Sequence, residues 1–114
     1  MYSSDIIRIA LDLRKPLRYT IHMIKNWKHK GLRLFFENGV TSGIQVKHKN
    51  KLKIILQLLD AASKPEDLDL PGMRFHSLKG NYKGYYSVTV NGNWRIIYGF
   101  EGADAILVDY LDYH

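Results

Sequence analysis

The final third of the chain leaves its backbone few options. Three stretches rich in β-branched and aromatic residues, 85–90, 94–100 and 105–111, are separated by Asn91-Gly92-Asn93 and by Glu101-Gly102-Ala103-Asp104. Turn-forming residues between short alternating apolar runs mark consecutive hairpins. Register follows from keeping one face apolar, because a slip of one residue moves every side chain to the opposite side of a sheet. A two-residue Asn91-Gly92 loop sets Val88 across from Arg95 and mixes core with solvent. A three-residue loop over 91–93 instead sets Val90 across from Trp94, Val88 from Ile96 and Tyr86 from Tyr98. It also sends Arg95 to the other face with Thr89, and it is the expected solution. Trp94 and Phe100 then fall on the core side.

Upstream, the hydrophobic period changes. Leu32, Phe35 and Phe36 recur at spacings of three and four, which predicts a helix over 31–38 stopped by Gly39. A longer helix fits 46–62, where Leu52, Ile55, Leu59 and Ala62 form a stripe widened by Leu56 and Leu58. Pro65, the acidic run from Glu66 to Asp69 and Pro71-Gly72 form a linker that cannot continue it. A short strand over 73–78 is expected to join the sheet. Alternation in Met23-Ile24-Lys25-Asn26-Trp27 suits an opening strand. The order strand, two helices, four strands predicts an α+β domain over 23–114 with a twisted antiparallel sheet. Residues 1–22 read as an N-terminal extension. Their apolar run carries internal charges, Pro16 interrupts it, and Asp5 precedes it, which is wrong for a secretory signal.

A chain of 114 residues supports one core. Cysteine is absent, so disulfides and thiolate metal sites are excluded and a cytoplasmic location is expected. The longest apolar runs fall far short of the roughly 20 residues that span a bilayer, so no membrane is expected as a partner. Seventeen Lys and Arg against eleven Asp and Glu give a formal charge of +6, and that charge is sorted along the chain. Between Met23 and Leu59 the bases Lys25, Lys28, Lys30, Arg33, Lys47, Lys49, Lys51 and Lys53 face the single acid Glu37, whereas residues 101–114 hold acids and no Lys or Arg. Such a face attracts polyanions. Lys28, Lys30, Lys47, Lys49, Lys51 and Lys53 are therefore candidates for contact with RNA, the alternative being a solvated helix surface.

Candidate acid-base groups are few. Among the histidines, His22 precedes the domain, and His29 and His48 stand among lysines and are expected to be solvated. His76 and His114 remain. If the last strand stays extended, period-two alternation puts Asp112 and His114 on one face and Tyr113 on the other. A carboxylate beside an imidazole favours its protonated form and fixes its tautomer, as a proton donor requires; a frayed polar chain end is the competing reading. Lys79 and Arg95 are candidates for binding a phosphate, Arg through its planar fork and Lys as a mobile charge. Either could instead be an ordinary surface charge. Tyr85 and Tyr113 are available for stacking. With no HExxH, paired acidic metal site or Gly-rich phosphate loop, the sequence calls for no metal or organic cofactor.

From Met23 onward the chain resembles the HigB toxins of the RelE superfamily. The resemblance runs through Met23-Ile24-Lys25, Lys28-His29-Lys30-Gly31-Leu32, Leu34-Phe35-Phe36-Glu37-Asn38-Gly39 and Leu59-Asp60-Ala61-Ala62. It strengthens through His76-Ser77-Leu78-Lys79-Gly80, 85–90, Asn93-Trp94-Arg95-Ile96 and the terminal Asp109-Tyr110-Leu111-Asp112-Tyr113-His114. Each motif is weak alone, but the ordered set ending on Asp-Tyr-His is specific; residues 1–22 lie outside the pattern. The resemblance implies a microbial-ribonuclease-type fold and metal-independent cleavage of messenger RNA in the A site of the 70S ribosome. It implies neutralisation by a HigA-type helix-turn-helix antitoxin, with operator DNA touched only through the antitoxin complex. It further implies His76, Asp112, Tyr113 and His114 as the catalytic set, with Lys79 and Arg95 contacting the phosphate. Two competing readings are a ParE-type toxin that inhibits DNA gyrase and a non-catalytic ribosome- or RNA-binding module. The coexistence of His76 with Asp112-Tyr113-His114 disfavours the first, since gyrase binding gives no reason for both.

Overall fold

A computed structural model describes residues 23–113. The expectations for residues 1–22 and for His114 lie outside the described residues. Four strands, β1 (His76–Ser77), β2 (Tyr86–Asn91), β3 (Trp94–Glu101) and β4 (Asp104–Asp112), form an antiparallel sheet in sequence order. In the first hairpin Tyr86 pairs with Tyr98, Val88 with Ile96 and Thr89 with Arg95, as expected, but Trp94 pairs with Asn91 and not with Val90. The turn is the two residues Gly92 and Asn93, with Gly92 at φ 57°. Val90 is the extra residue of a bulge and remains buried. Two turn residues plus one bulged residue keep the downstream register of a three-residue loop, so the apolar face survives.

The strand expected over 73–78 shrinks to two residues. Arg74 adopts φ 49°, a left-handed conformation that breaks an extended chain, although Met73 still accepts a hydrogen bond from Thr89 N. At the opposite edge, the 23–27 segment lies parallel to β4 but makes only two isolated bridges, Ile24 to Ala105 and Trp27 to Val108. Continuity is lost because β4 bulges around Leu107, at φ 53°. The Asn26 side chain accepts the freed Leu107 N–H at 2.6 Å.

Helix α1 (Lys30–Asn38) starts where the His29 imidazole Nδ1 accepts the Leu32 N–H at 2.9 Å. It ends at Gly39, whose φ of 75° suits a residue without a side chain and lets its N–H reach the Phe35 carbonyl. The second expected helix divides into a 3-10 turn, Val46–His48, and α2, Lys49–Ala61. Its stripe performs as the spacing requires: Leu52, Ile55, Leu56 and Leu59 are fully buried and Ala62 nearly so. They join Leu32, Val88, Ile96, Tyr98, Val108 and Tyr110 in one core between the helices and one face of the sheet. Trp94 and Phe100 are half-buried against it. The linker contributes too. Leu68, in the 3-10 turn Pro65–Leu68, is completely buried, and the Tyr98 hydroxyl donates to the Pro65 carbonyl at 3.1 Å. Among the described residues, no helix is long and apolar enough to cross a membrane.

Candidate active site

Side chains alternate across a strand. With Val88, Ile96 and Tyr98 in the core, their neighbours Ser87, Arg95 and Ile97 belong to the face turned away from the helices. There Arg95 Nη1 donates to the Ser87 hydroxyl at 3.2 Å. Ser87 is only 1% exposed, so its hydroxyl has little water to turn to and the guanidinium gains a fixed partner. In β1, His76 pairs with Ser87, which puts the exposed imidazole and the half-buried Arg95 on either side of the same serine.

The connection from β1 to β2 brings the remaining groups. Leu78 N donates to the Tyr85 carbonyl, closing the loop, and exposed Lys79 precedes the 3-10 turn Gly80–Tyr82. The Tyr82 ring meets the Tyr85 and Tyr113 rings edge-on, at centroid distances of 6.5 and 5.8 Å. Tyr85 lies over Gly99, where an added Cβ would stand 3.5 Å from the ring. Tyr113 is held by its N–H on the Asn93 carbonyl at 2.7 Å. A row of three tyrosines therefore borders the Arg95 face, next to cationic groups able to hold a phosphate.

Asp112 is placed differently. It pairs with Trp94 in the last rung of the β3 and β4 ladder. Together with His29, Gln45, Trp94 and Tyr110 it lines a recess of about 400 Å³ on the helix side of the sheet end. Tyr113 and Asp112 thus point to opposite faces, as alternation predicts. The structure groups His76, Arg95 and Tyr113, with Lys79 in the adjoining loop, and does not bring Asp112 onto their face: it lies on the helix side of the sheet end.

The six candidate lysines occupy other ground. Lys28, Lys30, Lys47, Lys49 and Lys53 are exposed and Lys51 is half-buried. Lys28 and Lys30 line one recess with Lys25 and Arg33, Lys49 and Lys53 line another with Phe35 and Phe36, and none of the six stands on the strands that carry His76 and Arg95.

Two histidines depart from the sequence reading. His29 is half-buried, capping α1 and lying edge-on to Tyr110 at 5.4 Å. His48, expected to be solvated between Lys47 and Lys49, is only 2% exposed. Its position four residues before Leu52 continues the stripe 52, 55, 59, 62, a signal outweighed by its charged neighbours. Its Nδ1 lies 2.7 Å from the Tyr110 hydroxyl, and burial, aided by Lys47, holds its pKa below the usual imidazole value. Sequence reasoning also missed Ser87 and Tyr82; Ser87 shares the polar phase of Thr89 and Arg95, which was the available signal.

The family described as the RelE-like toxin of type II toxin-antitoxin system HigB matches residues 25–114. The chain is 45% identical over 92 residues to Endoribonuclease HigB of Proteus vulgaris, covering 81% of this chain and 100% of the relative. It is 37% identical over 99 residues to Toxin HigB-1 of Vibrio cholerae serotype O1, covering 81% of this chain and 98% of the relative.

Proposed function

Because the chain belongs to the HigB-like family of RelE-like toxins of type II toxin-antitoxin systems, we propose that it is an endoribonuclease that cuts messenger RNA in the ribosomal A site. Membership of a toxin-antitoxin family supplies a cognate antitoxin as its partner. We assign that antitoxin to the HigA type, with a helix-turn-helix through which alone the complex touches operator DNA. The toxin domain is 23–114, with 1–22 outside it. Cutting messages on the ribosome stops translation and growth and puts the protein in the cytoplasm.

One observation carries the reading: His76 and Arg95 flank the buried Ser87 on the same face, with Tyr113 at its border. Arg95 presents a planar fork to the two non-bridging oxygens of a scissile phosphate, and Lys79 adds a mobile charge from the loop. His76 removes the proton of the ribose 2′-hydroxyl. The 2′-oxygen then attacks phosphorus, the bond to the 5′-oxygen breaks, and His114, the residue after Tyr113, protonates that oxygen, with Asp112 steadying it from the end of the sheet and not from the Arg95 face. The products are a 2′,3′-cyclic phosphate and a 5′-hydroxyl. No step calls for a metal, because the charge that builds on the phosphorane falls on Arg95 and Lys79. Tyr113, with Tyr82 and Tyr85 beside it, offers ring faces to the flanking bases. Lys28, Lys30, Lys47, Lys49, Lys51 and Lys53 meet the ribosomal RNA backbone, where phosphate contacts give affinity without sequence preference.

Induction of the toxin followed within minutes by mapping of message 5′ ends tests this. Cuts inside the codons of translated messages support it. DNA breaks in their place, as from a gyrase inhibitor, or arrest of translation with intact messages, as from a binding module, would overturn it.

A further inference from the structure

We propose that His48 is a positioning residue for Asp112 and Tyr113 at the end of the last strand, acting through Tyr110; the inference rests on the nuclease reading above. The imidazole stands behind the last rung of the sheet. Its ring meets Trp94 edge-on at 5.7 Å and Tyr110 edge-on at 6.0 Å, and the Trp94 and Tyr110 rings pack on each other at 4.7 Å. Trp94 is the strand partner of Asp112, and Tyr110 precedes Asp112 by two residues on the same strand. Beyond that rung, the described chain is held by Tyr113 N–H on the Asn93 carbonyl. Whatever fixes Trp94 and Tyr110 therefore fixes where Asp112 and Tyr113 stand.

Proton counting assigns the bonds. The Tyr110 oxygen already accepts the Gln45 N–H at 3.3 Å. If its own proton goes to His48 Nδ1, at 2.7 Å, every group on Tyr110 is satisfied and the ring proton sits on Nε2. With the other tautomer, both the tyrosine proton and Nε2 lack partners. His48 Nε2 is in either case buried with no hydrogen-bond partner. An unpaired buried polar group costs more than a single hydrogen bond returns, so an apolar pair, leucine at 48 together with phenylalanine at 110, would be at least as stable an occupant of this slot, whereas leucine alone would leave the buried Tyr110 hydroxyl without its acceptor. The histidine-tyrosine pair gives up stability and supplies in exchange a polar contact that sets the Tyr110 hydroxyl.

The loop that carries Gln45 and His48 is itself braced. Gly43 and Gly31 approach so closely that a Cβ added to Gly43 would lie 2.6 Å from the Gly31 Cα. That contact locks the loop onto the first turn of α1, and His29, which caps the same turn, lies against Tyr110. Helix start, loop, His48 and Tyr110 form one rigid path to the end of β4. Groups that must meet a phosphate within a fraction of an ångström need such support, and a small misplacement is expensive in rate.

The test uses the full chain on ribosomes programmed with a defined message. His48→Leu and Tyr110→Phe should each lower kcat by about ten- to a hundredfold and leave KM within about twofold, because the lysine surface is untouched. The double variant should be no worse than either single, since both remove one and the same hydrogen bond. His48→Asn, which keeps an acceptor near the position of Nδ1, should regain most of the activity. In NMR relaxation of the free protein, the amides of residues 111–113 should become more mobile in His48→Leu than in the parent, with melting curves showing that the variants are folded. Should His48→Leu fail to fold, Tyr110→Phe carries the test alone. A folded variant with parental kcat, a loss confined to KM, additive losses in the double, or unchanged amide order at 111–113 each overturns the proposal. A parent that cuts no ribosome-bound message instead overturns the nuclease reading, and the amide mobility still decides whether His48 braces the strand end.

Discussion

Arg95 and Ser87 are not strand partners, yet the guanidinium reaches diagonally to the serine hydroxyl at 3.2 Å; Ser87 pairs with Ile97, and Arg95 with Thr89. The diagonal draws the cation toward β1, where His76 pairs with the same serine. A buried hydroxyl therefore aims Arg95 at the side of the sheet from which the imidazole comes.

Removing that hydroxyl should cost rate without removing the chemistry. Ser87→Ala is expected to slow cleavage by roughly two- to tenfold, the worth of one hydrogen bond, whereas Arg95→Ala should cost about a hundred- to a thousandfold, as removal of an oxyanion donor does. Arg95→Lys should fall between the two, since it keeps charge and loses the fork. Steady-state cleavage of ribosome-bound message by the three variants gives the order, and a Ser87→Ala loss as large as that of Arg95→Ala would contradict it.

The close approach of Gly31 and Gly43 makes a prediction about stability alone. A methyl on Gly43 would meet backbone at 2.6 Å, and backbone cannot swing aside as a side chain can. Gly43→Ala should destabilise the fold by about 1–3 kcal/mol, the usual cost of overpacking. Urea unfolding should show a lower midpoint at an unchanged slope; an unshifted midpoint would mean that the loop is free to move away from α1.

Burial of His48 gives stability a pH dependence whose sign is fixed. Its folded pKa is lowered by desolvation first and by Lys47 second. The unfolded ring takes up a proton near pH ~6.5, which the folded ring refuses. Stability should thus be complete above that value and fall as pH drops through it toward the lowered folded value. The carboxylates of Asp67 and Glu101 are lowered by Ser63 and by Lys25 respectively, so their contribution is lost in a separate, more acidic window. Urea unfolding at several pH values between about 7.5 and 5.5 should show the parent losing stability and His48→Asn losing less. Parallel curves would contradict this.

The contrast between Leu52 and His48 shows what the sequence could reveal. Leu52, Ile55 and Leu59 announce a buried helix face by spacing alone, and Val88, Ile96 and Tyr98 announce a sheet face by alternation. Both periods survive folding because each buries a continuous stripe. His48 occupies the same helical stripe, but two exposed lysines beside it hid a burial that depends on Tyr110, distant in sequence. Val90 escaped for a related reason: alternation fixes which residues share a face, while a bulge that leaves the faces intact has no sequence signature here. In the candidate site, Arg95 and Tyr113 were legible as chemistry-bearing types. Ser87 was not, since its role exists only once β2 and β3 are paired.

The exposed lysines should govern encounter and leave the chemical step alone. Lys49→Ala with Lys53→Ala is expected to weaken ribosome binding and to flatten its salt dependence, by up to about 0.7–0.9 in logarithmic slope for each phosphate no longer neutralised. Binding measured across a salt series tests this. An unchanged slope with normal affinity would reduce these residues to a solvated helix surface.

The most direct measurement of the account as a whole is single-turnover cleavage of a message held on purified ribosomes, comparing the parent with His76→Ala and analysing the ends produced. The parent should leave 2′,3′-cyclic phosphate and 5′-hydroxyl termini within the A-site codon, and His76→Ala should cut about a hundred- to ten-thousandfold more slowly while still binding the ribosome. A variant that cuts at the parental rate, or a parent that leaves the message whole, would contradict the assignment of the Arg95 face as a ribonuclease site.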